Sequence, residues 1–228
     1  MDPREPRRYQ RPVWLVCLLA ACLGAGAEPG DGALPPPRKT AGMPLMEALS
    51  QRHSSREIGT LELPVQMLSD LLWAACGVNR PEAGMRTAPS AVNWQEIDIF
   101  VASKDGVRLF DPPRHRLKPL LTRDIRAEIG LQPFVKQAPI CLIYVADFAK
   151  MTRASEEDKV FYSACDVGFI SQDVYLFAAS EGLSTCVVGL VKRKPLAETL
   201  GLRPEQRVLL CQPVGYPAPP GAAGADQQ

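Results

Sequence analysis

The chain has 228 residues, 46% hydrophobic and 22% charged, the profile of an ordinary soluble globular protein. A formal net charge of +1 leaves no overall field that favours nucleic acid, a membrane surface or acidic substrates. His53 and His115 are the only histidines, too few for a histidine-rich metal centre, and no H-E-x-x-H, G-x-S-x-G, G-x-G-x-x-G or G-x-x-x-x-G-K-[ST] pattern occurs. An enzyme built on this sequence would draw its chemistry from an organic cofactor.

Residues 1–27 read as a secretory signal. Arg4, Arg7, Arg8 and Arg11 outnumber Asp2 and Glu5, an apolar run follows from Val13 to Leu23, and Ala25-Gly26-Ala27 has the form of a cleavage site. The run is too short to span a bilayer as a helix. Two readings of Cys22 stand side by side: the lipidated residue of a Leu19-Ala20-Ala21-Cys22 lipobox, or one more small apolar residue of the signal. Arg7-Arg8 leaves a twin-arginine route open beside general secretion. The expected location is therefore the periplasm, free or as a lipoprotein whose only membrane attachment is Cys22. Residues 28–42, rich in Gly and Pro, read as a flexible linker, and 217–228 as a disordered tail. Residues 43–216 are enough for one domain with a sizeable core. Beyond the signal lie Cys76, Cys141, Cys165, Cys186 and Cys211. Without a C-x-x-C pair and mostly inside apolar runs, they suggest buried apolar residues rather than disulfides or a zinc site.

In chain order, Leu45, Met46 and Leu49 predict a short helix over 44–52. Pro64 to Cys76 predicts a stronger one, with Val65, Leu68, Leu71, Leu72 and Ala75 on one stripe and Gly77 as its left-handed cap. Ile97, Ile99 and Val101 alternate with their neighbours, Lys104-Asp105-Gly106 turns the chain, and Val107 to Phe110 returns as a hairpin partner. Leu120 to Phe134 reads as helical. Ile140 to Ala146 reads as a strand buried on both faces. From Ser155 to Glu181 the apolar residues wrap most of the way round, so this long helix is expected to be largely buried and to end at Gly182. Thr185–Val188 and Val208–Val214 read as strands, with a short helix at 195–200 between them. The order implies an α+β layer fold.

Three segments carry candidate chemistry. Arg52-His53-Ser54-Ser55-Arg56 follows the first helix and packs two guanidinium groups and two hydroxyls into five residues, which suits a phosphate monoester. Alternate residues of an extended stretch point the same way, so Arg52, Ser54 and Arg56 can converge on one ligand. Alone, the pentapeptide fits a solvated basic turn at least as well. Pro89-Ser90-Ala91-Val92-Asn93-Trp94-Gln95, just before the hairpin, is small and polar enough to approach a planar ligand. Gly182 to Leu190 carries the chain out of the long helix to Gly189, whose bare backbone can offer an N–H to a ring carbonyl.

Together, R-H-S-x-R, P-S-x-x-N-x-Q and G-L-x-T-x-x-x-G in this order and spacing resemble the nitroreductase family of FMN enzymes over 44–216. The resemblance implies a mixed, mainly antiparallel sheet flanked by helices around one long buried helix, in a homodimer with flavin at the interface. It implies that Arg52, His53, Ser54 and Arg56 contact the FMN phosphate and ribityl chain. It places Pro89, Ser90, Ala91 and Asn93 of the second subunit against the isoalloxazine ring, and Val188, Gly189 and Leu190 at the ring edge. The implied reaction passes two electrons from NADH, NADPH or another donor through flavin N5 to a small organic acceptor such as a nitroaromatic or quinone, with no side chain as nucleophile. Two departures stand out. The basic residue many relatives carry near the C-terminus is missing, since nothing after Arg207 is Lys or Arg, so either Arg52 and Arg56 carry more of that charge or another residue, such as Arg86 or Lys192, substitutes. Glu96 and Ile97 stand where a proline and an aromatic often follow Asn-x-Gln. Alternatives within the same resemblance are a flavin carrier or sensor without turnover, and oxidative or dehalogenating chemistry. A structural lipoprotein would need all three motifs to be coincidental.

Overall fold

The structure, a computed structural model, describes residues 32–219. The expected signal, Cys22 and the last nine residues lie outside them. In chain order the elements are α1 (Leu45–Gln51), α2 (Val65–Cys76), β1 (Val78–Arg80), β2 (Met85–Arg86), β3 (Ile97–Ser103), β4 (Gly106–Asp111), β5 (Arg116–Leu121), α3 (Arg126–Ile129), α4 (Pro133–Gln137), β6 (Ile140–Asp147), α5 (Glu156–Ser180), β7 (Ser184–Thr185), α6 (Arg193–Thr199) and β8 (Gln206–Gly215). β1 and β2 form a small ribbon. The other strands form one antiparallel sheet in the order β5-β4-β3-β6-β8-β7.

The sheet is covered on both sides, which is why β6 reads as an unbroken apolar run. Every residue of β6 is buried. Ile140, Leu142, Tyr144 and Ala146 join Leu71, Leu72, Val167, Ile170 and Val174 in a core under α2 and α5. Cys141, Ile143 and Val145 point the other way, to a second core with Ile125, Ile129, Val135 and Leu196 of the shorter helices. β3 divides likewise: Ile97, Ile99 and Val101 enter the first core, Phe100 and Ala102 the second. The expected hairpin forms, with Phe100 opposite Leu109 and Ser103 opposite Gly106.

α5 starts at Ser155, whose Oγ accepts from the Asp158 N–H at 3.1 Å, and Glu156, Glu157 and Asp158 complement its dipole. It ends at left-handed Gly182 (φ 67°), with the Leu183 N–H bonded to the Ala178 carbonyl. Within one chain it is not largely buried. Ser163, Asp166, Val167, Ile170, Ser171, Val174 and Ala178 face the sheet, while Phe161 (60% exposed), Tyr162 and Phe169 (48%) face outward. Leu45, Met46 and Leu49 of α1 are exposed too. The near-complete apolar wrap thus divides into an inner face and an uncovered outer one.

Three other expectations are corrected. The helix over 120–134 is not continuous: Leu120 and Leu121 end the edge strand β5, which pairs Leu117 with Phe110 and Lys118 with Leu109, and the rest holds only the short helix α3 and the start of α4. Gly77 does not take the left-handed conformation (φ −72°, ψ 161°). Its lack of a side chain serves close approach, since a Cβ there would stand 2.7 Å from the Trp73 carbonyl oxygen and press on the indole. Residues 32–42 do not behave as a free linker. The Leu117 N–H bonds to the Gly32 carbonyl, Ser69 Oγ to the Pro35 carbonyl, and Arg38 Nε to Asp70 Oδ2 at 2.6 Å. Similarly, Pro217 and Ala218 of the expected tail pair with Ile58 and Glu57. Cys76, Cys141, Cys186 and Cys211 are buried free thiols, and Cys165 is half-buried and free.

Candidate functional site

The chain leaves α1 at Arg52 in extended form, and the expected alternation follows. Arg52 lays its guanidinium over the Tyr175 ring, 5.4 Å from the centroid, and Ser54 Oγ lies 2.8 Å from the Tyr175 hydroxyl. His53 and Ser55 face elsewhere, lining a separate cavity of about 290 Å³ with Gln51, Glu57 and Leu183. His53 Nδ1 is 2.8 Å from the Gln51 carbonyl. His53 is thus not brought to Arg52 and Ser54. Among the described residues, neither Arg52 nor Arg56 has a carboxylate partner, so both guanidinium groups remain available to an anionic ligand.

Tyr175 also joins the first segment to the third. Its hydroxyl accepts from the Val187 N–H at 2.8 Å, and the Ser55 N–H bonds to the Thr185 carbonyl at 2.9 Å. Val188 is tied by two backbone bonds to Cys211 of β8, which directs the following residues outward. Gly189 and Leu190 are exposed, and Arg193 Nη2 donates to the Gly189 and Leu209 carbonyls. Among the described residues nothing accepts from the Gly189 N–H. A Cβ on Gly189 would meet only Leu210 at 3.8 Å, so this backbone faces open space. The Arg52 guanidinium, a hydroxyl pair and an open backbone N–H form a donor set that fits a ligand with a phosphate at one end and ring carbonyls at the other, with Arg56 exposed two residues beyond Ser54.

The second segment lies elsewhere in the same chain. The Ala91 N–H donates to Asp166 Oδ2 at 2.9 Å, the Gln95 N–H to Ser90 Oγ at 3.0 Å, and Trp94 packs edge-on against Tyr162. Asp166 and Tyr175 are nine residues apart on α5, about 13 Å of rise and two and a half turns, so they leave opposite sides of the helix. One chain therefore unites the first and third segments and holds the second apart. Glu96, which follows Gln95 at the end of this loop, is buried completely just before β3. The expected replacements for the missing basic residue are engaged elsewhere. Arg86 Nη1 bonds to Cys76 Sγ at 3.1 Å, and Lys192 Nζ to the Ala127 carbonyl at 3.4 Å.

Sequence reasoning missed Tyr175, Asp166 and Arg193. Tyr175 carries one signal in retrospect: a polar-tipped aromatic on a helix otherwise filled with apolar and small residues. A further cavity of about 420 Å³, between residues 38–45, α2 and α5, contains none of the expected site residues. Asp173 lines it, and burial pushes its carboxyl up to about 6.

A six-stranded antiparallel sheet with one long helix across a face, and a basic, hydroxyl-bearing strand docked to that helix, defines an α+β flavoenzyme-like architecture. Residues 49–216 match the model of the nitroreductase family. A Methanocaldococcus jannaschii protein named as a nitroreductase is 34% identical over 181 residues, covering 75% of this chain and 90% of that relative. A Ralstonia eutropha crystal structure, also named as a nitroreductase, is 40% identical with a TM-score of 0.79, covering 82% of this chain and 89% of the other. The FMN reductase [NAD(P)H] of Bacillus subtilis is 27% identical over 148 residues, which span 59% of this chain and about half (54%) of that enzyme. The chain belongs to the nitroreductase family and is an FMN-dependent oxidoreductase.

Proposed function

We propose that the FMN phosphate lies against Arg52, Ser54 and Arg56, that the ring edge meets the Gly189 backbone, and that Pro89 to Asn93 of a second copy cover the ring. The observation that carries this reading is the Tyr175 hydroxyl, which ties Ser54 to Val187 and makes the first and third segments one surface. The second copy is supported by the outward apolar residues of α1 and α5, by Leu190, and by Val92, which is 82% exposed at the tip of its loop.

Bound FMN supplies two-electron chemistry between NADH, NADPH or another donor and a small organic acceptor such as a nitroaromatic or quinone. The chain's own residues bind and orient. Arg52 and Arg56 neutralise the phosphate, Tyr175 fixes the angle between the two strands of the site, and Arg193 holds the Gly189 carbonyl back so that its N–H faces outward. Export belongs to the same proposal and rests on the sequence of residues 1–27 alone.

The test is the visible spectrum of purified protein, followed by anaerobic addition of NADH or NADPH and then of a nitroaromatic or quinone. A yellow protein that bleaches with donor and recovers with acceptor is expected. Colourless protein that cannot be reconstituted with FMN refutes the reading. Reduction without multiple turnover would make it a carrier.

A further inference from the structure

The loop from Pro89 to Gln95 has an unusual backbone. Val92, Asn93 and Gln95 all take positive φ, near 50°, 59° and 51°, a region that non-glycine residues rarely adopt and β-branched valine least of all. Such a loop persists only where its surroundings over-determine it. The fastenings are the Asn93 N–H on the Ser90 carbonyl, the Gln95 N–H on Ser90 Oγ, Gln95 Nε2 on Asn93 Oδ1 and the Gly84 carbonyl, and the Ala91 N–H on Asp166 Oδ2. Among the described residues, the last is the hydrogen bond that ties the loop to α5.

Asp166 has a second neighbour. Glu96 has no exposed surface, and among the described residues no side chain donates to either of its carboxyl oxygens; its own backbone N–H lies near the carboxyl and partly offsets its burial. The group beside it is the Asp166 carboxyl. Two buried carboxyls in contact cannot both carry charge at low cost, and the arrangement that satisfies them is one proton held between them. With the proton on Glu96, its O–H donates to Asp166, which stays anionic and keeps Oδ2 for the Ala91 N–H.

We infer that Glu96 and Asp166 are positioning residues that share one proton, and that this proton holds the Ser90–Asn93 backbone in the form that meets the flavin. The inference rests on the reading above, in which this loop covers the FMN ring.

The surroundings keep the proton near neutrality. Burial, then the Asp166 charge, pushes the Glu96 carboxyl up to about 7, and burial raises Asp166 as well. Lys150 opposes this in part, but its Nζ is engaged by Asp98 Oδ1 at 2.7 Å and by the Gln95 carbonyl. Arg86, which lines the same small cavity as Asp166, donates to Cys76 Sγ, and burial holds the Cys76 thiol neutral by raising it. Asp147, whose N–H bonds to the Glu96 carbonyl, pairs its carboxylate with Arg203. As pH rises through about 7 the shared proton leaves to solvent, two adjacent anions repel, and the Asp166–Ala91 fastening loosens.

The experiment is FMN titration of the full chain by flavin fluorescence at a series of pH values, for the native protein, Glu96→Gln and Asp166→Asn. Native affinity is expected to fall at least about tenfold between about pH 6 and about pH 9, as it must if bound FMN makes the shared proton about ten times harder to remove. Glu96→Gln, whose amide still donates to Asp166 but cannot ionise, is expected to lose that alkaline fall. Asp166→Asn, whose amide oxygen can still accept from the Ala91 N–H but which leaves no second anion to repel, is expected to lose most of that fall as well. Titration of the FMN phosphate is common to all three and cancels. Affinity that does not change with pH in the native protein, or variant profiles that coincide with it, overturns the inference while leaving FMN binding intact. Failure to bind FMN at any pH overturns both this and the functional reading.

Discussion

Tyr175→Phe removes one oxygen and nothing else, at the atom where the two strands of the site meet. Two hydrogen bonds of 2.8 Å are lost, to Ser54 Oγ and from the Val187 N–H. They are not equivalent. Ser54 is exposed and replaces its partner with water at little cost, whereas Val187 is half-buried and its N–H is left without an acceptor. An unsatisfied donor of this kind costs about 1–3 kcal/mol when fully buried, so half-burial suggests ~1–2 kcal/mol. Arg52 still finds an aromatic face in phenylalanine, which keeps the cation–π contact. The expected result is a lower melting temperature for the apoprotein and FMN affinity weakened about 5–30-fold, the factor that ~1–2 kcal/mol carries. Differential scanning fluorimetry reads the first and flavin fluorescence quenching the second. Native values on both would show that the hydroxyl does not couple the segments, and that Ser54 and Val187 do not form one surface through it.

Other outcomes follow from the same structure. Arg52→Ala with Arg56→Ala should weaken FMN binding by several kcal/mol, at about 1.5–3 for each charge-assisted contact, with little change in melting temperature; full affinity would show that the phosphate lies elsewhere. Gly77→Ala should destabilise the fold by about 1–3 kcal/mol in urea titrations, because the new methyl presses on Trp73. Asp173, raised to about 6 by burial, holds its proton more tightly folded than unfolded. Its contribution to stability is therefore greatest below about pH 4 and is lost as pH rises through 6. Asp173→Asn should flatten that part of the melting-temperature profile; an unchanged profile would place the titration elsewhere.

Much of the fold was legible because its strongest patterns are local. Lys104-Asp105-Gly106 between two alternating runs leaves little choice but a hairpin, and a continuous apolar run such as 140–146 implies a strand covered on both faces. Leu120 and Leu121 failed as a guide because two adjacent apolar residues fit the edge of either a helix or a strand. Pairing with β4 across the sheet, which no local pattern encodes, decided for a strand. Gly77 misled because two reasons for glycine look alike in sequence, and only the position of Trp73 separates them. Of the site, the alternation of Arg52 and Ser54 was readable from an extended chain, but it also turns His53 away. Tyr175 and Asp166 were not readable, because what matters is which side of a 25-residue helix each leaves, and that depends on how the helix lies on the sheet.

The residues after β8 do more than finish the sheet. The Gly59 N–H bonds to the Tyr216 carbonyl and the Ala218 N–H to the Glu57 carbonyl, so the stretch that begins one residue after Arg56 is hemmed by residues that follow β8. During synthesis the two arginines emerge early but gain this neighbour only about 160 residues later, at a synthesis rate of ~5–20 residues per second. For those seconds the nascent chain carries the two arginines without this neighbour beside them. The segment that ends at Arg56 is thereby framed only after β8 has been made, and a ribosome stalled short of residue 216 would display it without Tyr216 and Ala218 beside Gly59 and Glu57.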